Sequence, residues 1–281
     1  MGEKKIFKWR IVIQGFFLFI VIMAVINHQL SELGLNTIPF FSKGSLHALC
    51  PFGGVVSIYK LFTEGTFVQK IHESSLILMT IVIVTSILFG PVFCGWFCPL
   101  GTVQEWIGKL GRKLLKRKYN KIIPKKYDDL MRNLRYVVLV MVLYMTAKTG
   151  TLLFANIDPY YALFNFWTGE VAVGAMIILG ITILSSLFIE RPWCKYACPL
   201  GALLGISNFF RIFSIERNEK TCVVCKRCDR VCPMNIEIAN KTRIKNHQCI
   251  SCMECTSEIT CPIDNTLNMQ SMGRKKYEDK N

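Results

Sequence analysis

Histidine is scarce in this chain. There are four in 281 residues, His28, His47, His72 and His247, and none sits in the middle of a long apolar run. A b-type haem inside a bilayer needs axial imidazoles at membrane depth, which the apolar blocks do not offer. His28, His47 and His72 leave only a site at the outer rim, and read more simply as loop residues at the interface. Acidic residues are also few: 19 Asp and Glu stand against 34 Lys and Arg, for a formal net charge of +15. No paired carboxylates fall in a plausible pocket, no nucleophile stands beside a base, and there is no Gly-rich phosphate loop, so no catalytic constellation is evident. The charge could suggest nucleic acid, but no nucleic-acid module is present and the bases flank apolar spans. Anionic lipid and membrane orientation account for them more simply.

Cysteine is abundant. There are 13, an odd number that fits a disulfide framework poorly. Eight of them form the stretch around which the rest is organised. CVVCKRCDRVCP carries Cys222, Cys225, Cys228, Cys232 and Pro233, and CISCMECTSEITCP carries Cys249, Cys252, Cys255, Cys261 and Pro262. Three thiolates separated by two residues wrap one corner of a cubane cluster, and the fourth Cys of each run ligates the other cluster. On that wiring Cys222, Cys225, Cys228 and Cys261 hold one 4Fe–4S cluster, and Cys249, Cys252, Cys255 and Cys232 hold a second. Zinc is the competing reading, because C-x-x-C pairs also build tetrahedral sites. Zinc ribbons use cysteines in pairs, whereas each run here has a third Cys at the next step and then C-P. Residues 218–265 resemble a bacterial two-cluster ferredoxin. The gap before Cys261 is five residues where the first run has three.

Apolar residues make up 52% of the chain and lie in long blocks, which is membrane composition. Four spans are expected, at about 11–27, 75–92, 134–154 and 171–189. The third has the shortest clean apolar run. The N-terminal segment, with Lys4, Lys5, Lys8 and Arg10, reads as a signal anchor rather than a cleaved leader. Bases concentrate before the first span and between 100 and 135, which puts both termini on the cytoplasmic side. Val103, Trp106, Ile107, Leu110 and Leu114 recur at helical spacing among Lys109, Arg112, Lys113 and Lys116, so this stretch reads as a basic amphipathic helix on the membrane face. The region from 28 to 74, including Cys50, reads as an outer loop.

The membrane part contains a parallel repeat. FCGWFCPLG at 93–101 and WCKYACPLG at 193–201 each end a span that comes inward. Cys94 and Cys98, and likewise Cys194 and Cys198, are four residues apart, so on a helix each pair shares a face. Pro99 and Pro199 are expected to stop those helices. Four thiolates around one point could hold a third cluster or another soft metal; the alternative is small buried residues at a helix contact.

The expected fold is an α-helical membrane protein with about four transmembrane helices and a small C-terminal two-cluster ferredoxin-like α+β module. Its membrane domain is placed at 1–215 and its cytoplasmic module at 216–281. CGWFCPLG, CKYACPLG and the eight-cysteine tail together resemble the NapH/NosR-type membrane polyferredoxins. That resemblance implies an electron-transfer subunit of a prokaryotic cytoplasmic membrane, working between a quinol pool or a cytoplasmic donor and redox partners such as reductase subunits or cytochromes. Proteins of cytochrome oxidase assembly share the same motifs, so a maturation role stays open, as does redox sensing. Lys226, Arg227 and Arg230, between ligands, could dock an acidic donor or simply be solvated.

Overall fold

The computed structural model describes residues 3–32, 73–149, 154, 157–165, 171–263 and 265–271. Cys50, His47, His72 and most of the expected outer loop lie outside the described residues. The elements in chain order are α1 (Glu3–Glu32), α2 (Glu73–Phe89), a π-type turn (Phe93–Phe97), α3 (Pro99–Leu115), a 3-10 turn (Lys116–Lys118), α4 (Lys125–Met131), α5 (Leu134–Thr149), α6 (Pro159–Asn165), α7 (Val173–Ser186), α8 (Pro192–Tyr196), α9 (Pro199–Ser207), β1 (Phe213–Arg217), α10 (Arg227–Val231) and β2 (Leu267–Ser271).

Each long apolar block is a helix, the form in which a lipid-embedded segment satisfies its own backbone. These are α1, α2, α5 and α7. Two segments, Trp9–Asn27 and Lys125–Lys148, are long and apolar enough to cross a membrane. The second owes its length to α4, a charged segment that leads almost directly into α5; the apolar run itself lies in α5. The apolar parts of α2 and α7, Ile77–Phe89 and Val173–Ser186, are shorter. At about 1.5 Å per residue, α7 rises roughly 21 Å. Large apolar side chains point outward on all four helices: Phe16 and Phe19, Ile77 and Ile81, Val137 and Val140, Ile177 and Ile181 are all exposed. Such a belt is a liability in water and is stabilised by lipid.

The helix α3 forms where the amphipathic pattern predicts one. Its buried face is not the apolar stripe. Thr102, Gln104, Glu105, Gly108 and Gly111 are buried, while Trp106, Leu110 and Leu114 are exposed. The small and polar residues face protein because they have partners there, and the apolar stripe is left for the surroundings.

The tail folds against the same end of the bundle as the two C-x-x-x-C-P motifs. β1 pairs antiparallel with β2, from Phe213 opposite Ser271 to Arg217 opposite Leu267. β1 straddles residue 215, the boundary read from the sequence. Ile215 and Leu267 share one apolar core with Met234, Ile236, Ile244 and Ile250 of the tail and with Met79, Val82, Leu139 and Val142 of the bundle. The tail is thus packed onto the helices through buried apolar area, the dominant favourable contribution to such an association.

Candidate metal centres

Each half of the tail supplies a loop of the same shape. In the first, Val224 and Lys226 have φ of 52° and 56°; in the second, Ser251 and Met253 have 50° and 60°. These are matching positions, one residue either side of the middle Cys of each triplet. Left-handed backbone at a β-branched residue such as Val224 is strained, and strain of this kind persists at ligand clamps. Here it curls each loop so that its cysteines line one pocket.

The thiols gather into two groups. Cys222, Cys225, Cys228 and Cys261 line one pocket of ≈ 380 Å³, roofed by Val223, Val224 and Leu267. Cys232, Cys249, Cys252 and Cys255 line another of ≈ 370 Å³, with Ile215, Met234 and Ile250 around them. The fourth cysteine of each run therefore lies with the triplet of the other run. Burial, with Asp229 adding, pushes the Cys228 thiol up to about 11, and burial pushes Cys232 up to about 12. Cys252 and Cys255 are also raised, again by burial. Such thiols ionise only when a cation shares the pocket, as a thiolate-bound metal does.

The membrane motifs build a third group. Both deviate from the expected regular helix. Cys98 N–H bonds back to Phe93 O at 2.9 Å, and Cys198 N–H to Trp193 O at 2.9 Å. Cys98 and Cys198 have left the helix, with ψ of 114° in each case. They are the N-cap residues of α3 and α9, whose first residues are Pro99 and Pro199. The prolines start helices here rather than ending them. Proline has no N–H to lose at a first helical position and its fixed φ suits it, while the residue before it is driven to extended backbone. As a cap, Cys198 Sγ accepts from Gly201 N at 3.3 Å, whereas Cys98 makes no side-chain cap hydrogen bond. Cys94 and Cys194 are buried, and Gln104 Nε2 lies 3.6 Å from Cys194 Sγ while its Oε1 accepts from Trp193 N at 3.2 Å. Cys98 and Cys194 both act electrostatically on Cys94, and all three act on Cys198. Burial pushes Cys98 up to about 12, with Cys194 adding. Among the described residues no three His, Cys, Asp or Glu side chains converge on a point that would hold a single metal ion.

The third group adjoins the second pocket. Trp96 Nε1 donates to Ser251 O at 3.0 Å, Ser251 Oγ to Phe89 O at 2.7 Å, and Asn208 Nδ2 to Cys249 O at 2.8 Å. A Cβ on Gly95 would lie 2.4 Å from Ile250 O, so only glycine lets the tail come this close. The first pocket faces the other way. Cys225 is exposed, as are Val223 and Val224, and Ile259 is 70% exposed.

Sequence reasoning missed the charges between these groups. Arg10, read as a topology-setting base, is buried. It donates to Glu105 at 2.5 Å and Glu254 at 2.6 Å. Arg191 also pairs with Glu105, at 2.5 Å, and donates to Cys94 O. Burial alone would raise the Glu105 carboxyl; Arg191 and Arg10 outweigh it and hold the group at about 2. Lys195, between the ligands of the second motif, is buried on Asp128 at 2.9 Å, which Tyr196 and Arg132 share. Glu105 is the lone acid between Glu73 and Asp128, a signal that could have marked it.

Comparison with known proteins follows the same segments. A family described as a 4Fe-4S binding domain matches residues 71–118 and 171–214, which are the two membrane motifs and their flanking helices. YccM of Escherichia coli K12 is 28% identical over 230 residues, 80% of this chain and 63% of that protein. An uncharacterized protein of Methanocaldococcus jannaschii is 34% identical over 209 residues, 74% of this chain and 82% of that protein. The ferredoxin-type protein NapH of Escherichia coli K12 is 24% identical over 216 residues, 73% of this chain and 72% of its own length. The chain thus spans less than two thirds of YccM. No solved structure matches.

Proposed function

Since the chain belongs to the NapH/NosR-type family of ferredoxin-like electron transport proteins, we propose that it relays single electrons between a quinol or cytoplasmic donor and a redox partner of a respiratory or reductase system. The observation that carries this reading is the sorting of eight cysteines into two pockets, each lined by four. Iron–sulfur clusters bound there would accept and pass on electrons without making or breaking bonds to substrate. Cys222, Cys225, Cys228 and Cys261 would hold one 4Fe–4S cluster and Cys232, Cys249, Cys252 and Cys255 the other. Cys94, Cys98, Cys194 and Cys198 would hold a third.

The donor set fits such groups. A mononuclear zinc site brings each sulfur to about 2.3 Å from one ion, and the described side chains do not converge that closely. A cluster gives each sulfur its own iron, so wider spacing suits it. Gln104, the N–H group of Gly201, and Arg191 on the Cys94 carbonyl fix the membrane cysteines in place. Backbone N–H bonds to sulfur favour the charged thiolate.

The exposed edge of the first pocket is the proposed entry. Lys226, Arg227 and Arg230 are exposed, and so are Val223, Val224 and Ile259. Exposed bases and apolar residues suit an acidic redox protein, which they would steer and then dock. The second pocket, against Gly95 and Trp96, would pass electrons to the membrane motifs. Four spans at 11–27, 75–92, 134–154 and 171–189, with both termini cytoplasmic, fit the exposed apolar belt and put the module of residues 216–281 on the side of low oxidation.

The test is composition and spectroscopy together. The full chain, purified without oxygen in detergent, is expected to carry about twelve irons, or about eight if only the tail sites fill. Colourless protein with zinc alone would sink the reading. Electron paramagnetic resonance after reduction should resolve interacting clusters, and an acidic electron-transfer protein should reduce them in a salt-dependent manner.

A further inference from the structure

Arg211 follows α9 and precedes β1, and its side chain is wholly buried, 0% exposed. One terminal nitrogen donates to Ile244 O. The other lies 3.3 Å from Asn208 Oδ1, 3.4 Å from Ser251 Oγ and 3.6 Å from Cys249 Sγ. None of these acceptors carries a charge unless Cys249 is a thiolate. Among the described residues no carboxylate comes within ion-pair distance of this guanidinium.

That sets it apart from most other buried cations. Arg10 and Arg191 share Glu105, and Arg132 and Lys195 share Asp128. Arg135 is the exception that points the same way. It donates to Gln248 Oε1 at 3.2 Å and His247 O at 2.9 Å, the two residues before Cys249, and it too lacks a carboxylate among the described residues. A buried charge without a counter-charge is strongly unfavourable. The missing anion is therefore to be sought where Arg211 points, in the pocket of Cys232, Cys249, Cys252 and Cys255.

We propose that Arg211 is the counter-cation of that pocket, and that its charge raises the reduction potential there above that of the exposed pocket. The proposal rests on reading the pocket as a 4Fe–4S site. A thiolate-bound cluster is anionic, and each added electron makes it more so. A fixed cation at contact in a low-dielectric interior therefore favours the reduced form. The bases near the first pocket, Lys226, Arg227 and Arg230, are exposed, and water screens them. The asymmetry drives electrons inward, from the exposed pocket to the one beside the membrane motifs. Arg211 touches the ligand sulfur rather than any partner, so it is a positioning and tuning residue.

Redox titration of the full chain in detergent, followed by electron paramagnetic resonance, tests this. The signal abolished by Cys252→Ser identifies the inner site. In Arg211→Gln its reduction equilibrium is expected to fall at least tenfold, about 59 mV for one electron, with iron per chain and the other tail signal unchanged. Arg211→Lys should recover at least half of the shift. Unchanged potentials with iron intact overturn the proposal, and so does an equal shift at both tail sites. If Arg211→Gln fails to hold iron, protein grown on ¹⁵N-arginine decides. A nitrogen coupling to the reduced inner site that vanishes in Arg211→Lys is expected, and its absence overturns the proposal. Wild-type protein without iron would instead overturn the reading of the pocket itself.

Discussion

Glu105 ties the first helix to the second membrane motif. It is 1% exposed and binds Arg10 from the first helix and Arg191 from the start of the second membrane motif. Its removal leaves Arg191 without a carboxylate and Arg10 with Glu254 alone, a change that costs on the order of 3–5 kcal/mol. Glu105→Gln should lower the unfolding midpoint in detergent accordingly. The effect carries a pH signature. The folded carboxyl is held at about 2, below its ordinary 4.5. A depressed folded value gives stability that is complete above the unfolded value and is lost as pH falls through the folded one. The gap between wild type and Glu105→Gln should therefore be full at pH 7 and close as pH drops from about 4.5 toward about 2. Arg10 and Arg191 around it stay charged throughout. A gap that ignores pH would show that the carboxylate charge is not what matters.

At the scale of elements, the separation of α3 from α7 sets the separation of the two membrane motifs, because the first motif runs into α3 and the second follows α7. Gly111 controls it. A Cβ there would come within 2.2 Å of Leu187 O and 2.7 Å of Leu187 C. Backbone cannot step aside as a flexible side chain can, and overpacking of this sort costs about 1–3 kcal/mol. Gly111→Ala should push α3 outward, part Cys94 and Cys98 from Cys194 and Cys198, and lower the iron count by about four per chain while the tail signals persist. Gly180 in α7 is the control. Nothing lies within 4 Å of its added Cβ, so Gly180→Ala should keep all iron and stay within about 1 kcal/mol of wild type. Equal iron in both variants would separate the membrane cysteines from any cluster.

For the whole molecule, the decisive contact is the seat of the tail on the bundle. Gly95 meets Ile250 O, Trp96 meets Ser251 O, and Phe89 O receives Ser251 Oγ. Gly95→Val should loosen this seat and press on Ile250 O and the Cys252 backbone, which line the second tail pocket, while leaving the first pocket untouched. The expected result is an intact signal from the first tail pocket, a disturbed signal from the second, faster proteolytic cleavage at the link near residues 208–212, and slower electron transfer from the tail to the membrane site. Protease resistance equal to wild type would show that the seat tolerates the side chain.

Much of this was legible before any fold was known. Cysteine spacing, C-P punctuation and apolar runs are local patterns, and local chemistry dictates them. Two residues between thiolates set a ligand loop, and a stretch of apolar residues must become a helix wherever lipid surrounds it. The helices at the four expected spans and the amphipathic α3 belong to that local class. What the linear pattern could not carry were partnerships across long separations. Arg10 looked like a topology signal because its partners are 95 and 244 residues away. Pro99 and Pro199 looked like helix ends because a proline starts a helix as readily as it ends one, and only the backbone on both sides distinguishes the cases. The lone acid at 105, the unpaired Arg211 and the glycine at 95 acquire their roles only when distant chain segments meet. Residue type and spacing determined which atoms could bind metal; packing alone decided which charges would be buried beside them.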